Sequence, residues 1–325
     1  MIGHCADMQT FLPYPDFAES AAALDPPRLG KQRVEALQIL RALELPEYGW
    51  ANHPAVVMWR HRVAALVLYG LTCARAWMRL GRADTTFNQI AEFAPDVAGT
   101  TQAELAGRGL LPSWVGDEAV HRSHRSRLLA KDPMFYGARF AGTPLGLDYV
   151  WPGADSAPPG GLRPSGPPLW VVRCDSVARL GTCMADSVVG LGPESGVVSD
   201  ATGCELADLQ LIAGPPRRRT KPLVALSRFV NDIEFGDRIA VFLDHRGKLL
   251  AGTVTDDYRW IAAAEHGLYH QRPVAWDAVL RRVDVDPPAS LQDVRPLFRV
   301  RLGAGGSVSG VTAGPVNAPN VADGC

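Results

Sequence analysis

The chain has 325 residues, 47% of them hydrophobic, and a formal net charge of −1. It is long enough for two domains, and its balanced charge means that any nucleic-acid binding must come from local basic patches. The start, MIGHCADMQTF, lacks the regions of a signal peptide, and no run approaches the roughly 20 apolar residues that cross a bilayer. Six cysteines are scattered without a CxxC pair. We therefore expect a soluble, cytoplasmic protein with reduced thiols and no membrane partner.

Helical periodicity dominates the first half of the chain. The segment RLGKQRVEALQIL (residues 28–40) begins a helix whose apolar side carries Leu29, Ala36, Leu37, Leu40 and Leu43. Residues 53–81 and 112–132 are also periodic, with Pro54 suited to a first helical turn and Gly81 to a helix end. This half of the sequence predicts an all-α domain over residues 8–151.

Glu35 lies on the first of these helices, outside the apolar stripe. Its basic neighbours in sequence are Arg28, Lys31 and Arg33. Considered alone, the pattern favours an exposed i,i+4 ion pair between Lys31 and Glu35, which contributes only about a few tenths of a kcal/mol.

The segment DEAVHRSHRSRLLAKD (117–132) offers two chemistries. Glu118, His121 and His124 are spaced i, i+3, i+6, so they could hold a metal ion on one helix face. The interleaved cations suit phosphate contact or a solvated basic face instead: Arg122, Arg125, Arg127 and Lys131. Because no second ligand motif of this kind occurs, we expect neither a metal nor another cofactor.

A linker rich in Pro and Gly, PGADSAPPGGLRPSGP (152–167), separates the two halves. After it come β-rich runs, LWVVRC, DRIAVFL, KLLAGTVT and RPVAW, with one helix, PLVALSRFVNDI. We expect a second domain with a small sheet or barrel over residues 168–302. The Gly-rich residues 303–325 are predicted to be a disordered tail.

Three segments in the same order, LDPPRLGKQRVEAL, GWANHPAVVMWR and HRSHRSRLLAKDPMFY, resemble the pyrimidine-dimer DNA glycosylase family of the phage endonuclease V type, over residues 8–151. The resemblance implies an all-α DNA-binding domain that excises a damaged base and then nicks the strand. An amine attacks C1′ of the sugar, and a carboxylate stabilises the sugar cation and moves protons.

Residue by residue, the resemblance implies that Glu35 is the catalytic carboxylate and that its basic neighbours hold phosphates and keep it ionised. The family's attacking amine belongs to a threonine at the processed N-terminus, which corresponds to Thr10. Because Thr10 lies behind Met8 and Gln9, either Lys31 supplies the amine or the lyase step does not occur. The implied DNA-binding residues are Arg28, Arg33, Asn52, His53, His121, Arg122, His124, Arg125, Lys131 and Tyr136.

The second half resembles PUA-like domains, including EVE domains, through LWVVRC, LSRFVNDIEFGDRIAVF, LLAGTVTDDYRW and HQRPVAW. This resemblance implies a small β-barrel with an aromatic pocket for a modified or flipped base. The candidate base-binding residues are Trp170, Phe229, Tyr258 and Trp260, although for each one taken alone the sequence favours a place in the core, because buried aromatics dominate small barrels.

The predicted fold class is therefore multidomain α and α+β, with a glycosylase-like all-α domain followed by a PUA-like barrel. The predicted function is base excision by a DNA glycosylase, with or without AP-lyase activity, coupled to a module that binds a modified or damaged base. A non-catalytic nucleic-acid-binding protein is the first alternative and a metal-dependent hydrolase the second. The expected partner is damaged or modified duplex DNA, with RNA as the alternative.

Overall fold

The computed structural model describes residues 8–46, 48–157, 166–174, 176–215, 220–244 and 247–303. The chain divides into two compact units, residues 1–163 and 164–325. Half of the predicted linker and all but the first residue of the predicted tail lie outside the described residues. None of the helices in the described part of the chain combines the length and apolar composition that a membrane-spanning helix needs.

The described residues of the first unit form α-helices and no strand, which confirms the helical half of the predicted fold class. A short 3-10 turn at Pro95–Val97 is the other regular element. The helices are α1 (Phe17–Ala23), α2 (Pro26–Glu44), α3 (Pro54–Val57), α4 (Val63–Arg79), α5 (Phe87–Ala91), α6 (Gln102–Gly107), α7 (Glu118–Lys131) and α8 (Pro133–Tyr136).

The centre of this unit is the packing of α2 against α4. A Cβ added at Gly70 would lie 3.1 Å from the Ala36 Cβ, and one at Gly30 would lie 2.7 Å from the Trp77 ring. Two glycines therefore let these helices approach closely. The predicted apolar stripe of α2 is buried at Leu29, Ala36, Leu37 and Leu40, as expected for an amphipathic helix.

Both ends of the predicted helix over residues 53–81 are confirmed, but the helix is interrupted in the middle. The α3 helix begins at Pro54, and Gly81 follows α4 with φ of 74°. Between the two helices, His61 adopts a left-handed φ of 65°, which breaks the regular hydrogen-bond ladder. The chain therefore turns before Val63, where α4 begins.

The second unit contains a mixed sheet, so the α+β half of the predicted fold class is also confirmed. Its strands are β1 (Pro168–Val172), β2 (Val188–Leu191), β3 (Arg238–Phe242), β4 (Leu249–Val254), β5 (Arg259–Trp260), β6 (His270–Leu280) and β7 (Leu297–Arg301). The helices are α9 (Val177–Ala185), α10 (Leu206–Ala213) and α11 (Thr220–Asn231).

The strand order is β2-β6-β4-β3-β1-β7, and β5 pairs with β6. Only the β1–β3 pair is parallel among the described strands. Hydrophobic clusters cover both faces of the sheet: Trp170 and Val172 belong to one, and Leu169 and Val171 to the other. The four predicted strands and α11 are present, whereas β2, β5, β7, α9 and α10 were not predicted.

Candidate active site

Glu35 is buried inside the first unit, with 3% of its surface exposed. Gln32 Nε2 donates a 2.7 Å hydrogen bond to Glu35 Oε2, and Lys31 Nζ lies 3.1 Å from Oε1. The backbone of Gln9 also hydrogen-bonds the carboxyl group. The interpretation of Glu35 as one half of an exposed surface pair is therefore wrong.

Burial raises the pKa of Glu35 to about 7, although Lys31, Gln32 and the Gln9 backbone each act to lower it. The expectation that basic neighbours simply keep this carboxylate ionised is also wrong, because the loss of solvation outweighs them. At neutral pH the group populates both protonation states. A carboxyl group with such a pKa can both accept and donate a proton during a reaction.

The site reaches solvent through Lys31. Its side chain is 55% exposed, whereas that of Glu35 is 4% exposed. The one-turn spacing on α2 places the amine directly beside the carboxyl group. The ion pair therefore joins a buried carboxyl group to an amine that solvent, and hence a substrate, can reach.

Gln32 connects this carboxyl group to the N-terminal segment. Its Oε1 accepts hydrogen bonds from Phe11 N at 2.7 Å and from the Tyr69 hydroxyl at 2.8 Å. Its Nε2 donates to Gln9 O at 3.0 Å as well as to Glu35. Every hydrogen-bonding position of the Gln32 amide is used, so the position of Glu35 is fixed by a fully satisfied buried network. Sequence analysis missed Gln32, although its place one turn before Glu35 was visible.

In the unprocessed chain, Thr10 does not line this site as the attacking group. It is completely buried, and its Oγ1 accepts a 2.9 Å hydrogen bond from Trp59 Nε1. The backbone of Gln9, not of Thr10, contacts the Glu35 carboxyl group. These contacts engage the Thr10 side chain, whereas its nitrogen is joined to Gln9 in a peptide bond, so the catalytic assignment of Thr10 stays a prediction that requires processing of the chain.

His121 and His124 are both fully buried, so the prediction that they contact DNA is wrong. His121 Nδ1 donates to Leu12 O at 2.8 Å, and its Nε2 accepts from Gly116 N at 3.0 Å. His124 Nδ1 accepts from Leu12 N at 3.1 Å, and burial lowers the pKa of His124 to about 3. Both rings are neutral and tie α7 to the N-terminal segment.

The proton of the neutral His124 ring must lie on Nε2, because Nδ1 is an acceptor. The Gln9 side-chain amide lies 2.9 Å from this nitrogen. Gln9 therefore presents its amide oxygen to the ring, which also gives a partner to a buried oxygen that would otherwise have none.

The metal alternative also loses its ligands, since both ring nitrogens of each histidine are engaged. Glu118 is 68% exposed and pairs with Arg125. Within the described residues, no group of three His, Cys, Asp or Glu side chains is arranged to hold a metal ion.

Several predicted DNA-binding residues have structural partners. Arg28 pairs with Asp25 at 2.6 Å, and Arg33 pairs with Asp84 at 2.7 Å and lies over the Trp77 ring. For Arg33 this corrects the prediction, since a guanidinium held by a buried carboxylate is not available to a phosphate.

Two further assignments are corrected for the same reason. Arg125 donates to Pro13 O at 2.7 Å as well as pairing with Glu118, and its side chain is only 14% exposed. Tyr136 is buried, and its hydroxyl donates a 2.6 Å hydrogen bond to Asp25 Oδ1. Neither residue presents a group to solvent for DNA contact.

Arg122 and Lys131 remain exposed. They lie on opposite sides of α7, because their separation in sequence is two and a half turns at about 3.6 residues per turn. The basic helix is therefore not one continuous phosphate-binding stripe.

Asn52 and His53 line a cavity of about 600 Å³ at the C-terminal end of α2. His53 caps α3, with Nδ1 accepting from Ala55 N at 3.2 Å, and burial lowers its pKa. Trp50 contributes to the same cavity with a left-handed φ of 76° and 38% exposure. Such strain in a bulky residue costs roughly 1–3 kcal/mol and is concentrated at ligand sites. Sequence analysis did not single out Trp50.

The aromatic candidates of the second unit separate into two groups. Trp170 and Phe229 are buried core residues, so their assignment as base-binding residues is wrong. Tyr258 packs against the same core, and its hydroxyl bonds His270 Nδ1 at 2.8 Å. Trp260 is half-buried on β5, and its Nε1 has no partner among the described residues.

Residues 8–89 match the family model of pyrimidine dimer DNA glycosylase. Residues 182–292 match a domain of unknown function, DUF8426, so the resemblance to PUA-like domains gains no support. No curated protein and no solved structure matches the chain. The segment that holds Lys31, Gln32 and Glu35 is thus the part of this chain that is similar to pyrimidine dimer DNA glycosylases.

Proposed function

We propose that the first unit is a DNA glycosylase that acts on duplex DNA containing pyrimidine dimers, with Glu35 as its acid–base residue. The observation that carries this proposal is the buried Glu35 carboxyl group, with a pKa of about 7, beside the exposed amine of Lys31. Strongly shifted carboxyl pKa values are concentrated at functional sites, and proton transfer at neutral pH is most efficient when the pKa lies near 7.

The proposed attacking group is the Lys31 amine, whose nitrogen lies 3.1 Å from Glu35 Oε1. Its ammonium proton passes to the Glu35 carboxylate, and the neutral amine then attacks C1′ of the damaged nucleotide. The bond from C1′ to the base breaks, and the base leaves with the bonding electrons. The departing base takes its proton from Glu35, which then carries a proton from the attached nitrogen to the ring oxygen O4′ as the C1′–O4′ bond opens. This gives the protonated Schiff base, and loss of a C2′ proton from it expels the 3′ phosphate, which is the AP-lyase step.

Two weaker functions follow from the same site. If Lys31 does not attack, Glu35 can activate water, and the protein is then a glycosylase without lyase activity. If neither reaction occurs, the protein binds damaged DNA without catalysis. Exposed Arg122, Lys131 and Asn52 are proposed as DNA contacts in all three cases.

The test is incubation of the full chain with a duplex that carries one thymine dimer, in parallel with an undamaged duplex. We expect cleavage of a dimer glycosidic bond by the wild type and a loss of at least about a hundredfold in Glu35→Gln, with DNA binding retained. Unchanged turnover in Glu35→Gln would remove this residue from the mechanism. Binding without any cleavage by the wild type would favour the non-catalytic alternative.

For the second unit we propose binding of a modified or damaged base at Trp260. Its support is a half-buried indole whose Nε1 lacks a partner among the described residues. Stacking on an aromatic side chain contributes about 1–3 kcal/mol per base. Trp260→Ala in the full chain should weaken binding to modified duplexes, whereas Tyr258→Phe, which removes only a hydroxyl that bonds inside the fold, should not. Equal binding by both variants would refute the assignment.

A further inference from the structure

Met134 is the most exposed large apolar side chain among the described residues, with 95% of its surface accessible. It lies in α8, directly after Pro133, which is also exposed. Single exposed apolar residues are common on protein surfaces, so exposure alone does not identify a site. The surroundings of Met134 are what distinguish it.

The backbone beneath Met134 is fixed on both sides. Asp132 Oδ1 accepts a 3.0 Å hydrogen bond from Phe135 N, which caps the short helix. Tyr136 bonds Asp25 and stacks on Phe140, with ring centroids 5.4 Å apart. Met134 therefore projects from a rigid support, as an inserting side chain must, because a mobile loop would bend away instead.

Two exposed cations flank this projection. Lys131 is exposed one turn before it, and Arg139 lies over the Phe135 ring at 4.3 Å. Arg28 donates a 3.2 Å hydrogen bond to Lys131 O, but its charge is paired with Asp25 at 2.6 Å and lies 3.8 Å from Asp132. An apolar tip flanked by the exposed cations Lys131 and Arg139 is complementary to duplex DNA, whose apolar base stack lies between two phosphate backbones.

The same contacts relate Met134 to the candidate active site. Arg28, Lys31 and Glu35 are spaced i, i+3, i+7 on α2, so they share one helix face. At 1.5 Å per residue, Glu35 lies about 10 Å along the helix axis from Arg28, the length of roughly three base steps. Arg28, which contacts the Lys131 backbone three residues before Met134, thus shares a helix face with the Lys31–Glu35 pair.

We propose that Met134 is a wedge that inserts into the base stack of the bound duplex at the lesion. This inference rests on the proposed function of the first unit. Apolar side chains, methionine included, separate base steps in several kinds of DNA-binding protein. A damaged step is already poorly stacked and costs less to open, so the wedge favours damaged DNA and helps to expose C1′ to the site.

The test uses the full chain and a duplex with 2-aminopurine, a base that fluoresces when unstacked, next to a thymine dimer. Wild-type protein should raise the fluorescence, and Met134→Ala should abolish the rise and weaken binding to the damaged duplex by about tenfold. Met134→Leu, which keeps an apolar tip, should preserve the signal. Met78→Ala is the matched control, since it makes the same substitution at a 40% exposed position on α4.

Each outcome decides between the proposals. If the wild type excises the base and Met134→Ala gives the same fluorescence rise, the wedge is refuted and the glycosylase proposal stands. An equal loss of binding to damaged and undamaged duplexes in Met134→Ala would also refute it, because a wedge discriminates between them. If the wild type neither binds nor cleaves damaged DNA, the proposed function fails and the wedge fails with it.

Discussion

Gln32 and Glu35 lie one turn apart on α2, and the Gln32 amide nitrogen donates a 2.7 Å hydrogen bond to Oε2 of Glu35. The same amide holds Gln9 O, Phe11 N and the Tyr69 hydroxyl. The position of the candidate acid is therefore set by the fold of the N-terminal segment. A buried acid held in this way must affect stability as well as chemistry.

The pH dependence of stability should report the buried state of Glu35. Its pKa is raised from 4.5 to about 7 by burial, so the folded state binds more protons than the unfolded state between these values. Stability is then greatest below pH 4.5 and falls as the pH rises through 7, by an amount on the order of 3 kcal/mol.

Glu35→Gln removes this titration. We expect the variant to be more stable than the wild type at pH 8 and nearly equal to it at pH 4.5. Urea denaturation followed by far-UV circular dichroism at both pH values measures the difference. If the free energy of unfolding falls equally in both proteins between pH 4.5 and pH 8, Glu35 is not the group responsible.

Replacing Gln32 should damage both the fold and the site. Gln32→Leu conserves volume but leaves Phe11 N, Gln9 O and one Glu35 oxygen without their buried partners, at a cost of about 3 kcal/mol or more. The control is Gln38→Leu on the same helix, where the side chain is half-buried and lies outside the hydrogen-bond network of Gln32. Denaturation midpoints of the two variants should differ clearly, and equal midpoints would contradict the network.

Periodicity and turn residues predicted the long helices α2, α4, α7 and α11 and four of the strands, because these elements follow local patterns. The positions of His121 and His124 could not be predicted in this way. On a helix face rich in arginine they look like surface residues, yet Leu12 binds both rings from more than a hundred residues away in sequence. A long-range contact of this kind leaves no local pattern.

The candidate site was predictable only in part. Glu35 was identified through a resemblance, whereas its burial depends on the N-terminal segment that covers it and on Tyr69 of α4. Trp170 and Phe229 were misassigned because an aromatic residue in a barrel core and one in a pocket have the same local sequence. Arg272, buried with its guanidinium on the carbonyl groups that end α11, was not anticipated either.

The salt dependence of DNA binding should show that Lys131 contacts phosphate and that Arg125 does not. Lys131 is exposed, so Lys131→Ala should weaken binding to all duplexes alike and reduce the slope of log K against log salt by about 1. Arg125 is held by Pro13 O and Glu118, so Arg125→Ala should lower thermal stability and leave the salt slope unchanged. Fluorescence anisotropy at several salt concentrations, with thermal melts of each variant, measures both effects. The structure would be contradicted if Arg125→Ala reduced the salt slope at unchanged thermal stability while Lys131→Ala lowered the thermal stability.

Lys31 should be the residue that becomes covalently attached to DNA. Borohydride reduces a Schiff base to a stable amine, so the wild type should be trapped on a duplex with a thymine dimer or an abasic site. Lys31→Arg keeps a positive charge next to Glu35 but replaces the amine by a guanidinium, which does not form a Schiff base. We expect this variant to bind the duplex, to form no trapped adduct and to leave the strand uncut. Base release without trapping would indicate that Glu35 activates water instead. Trapping of Lys31→Arg at the wild-type level would show that another amine attacks, and peptide mapping of the adduct would then identify it.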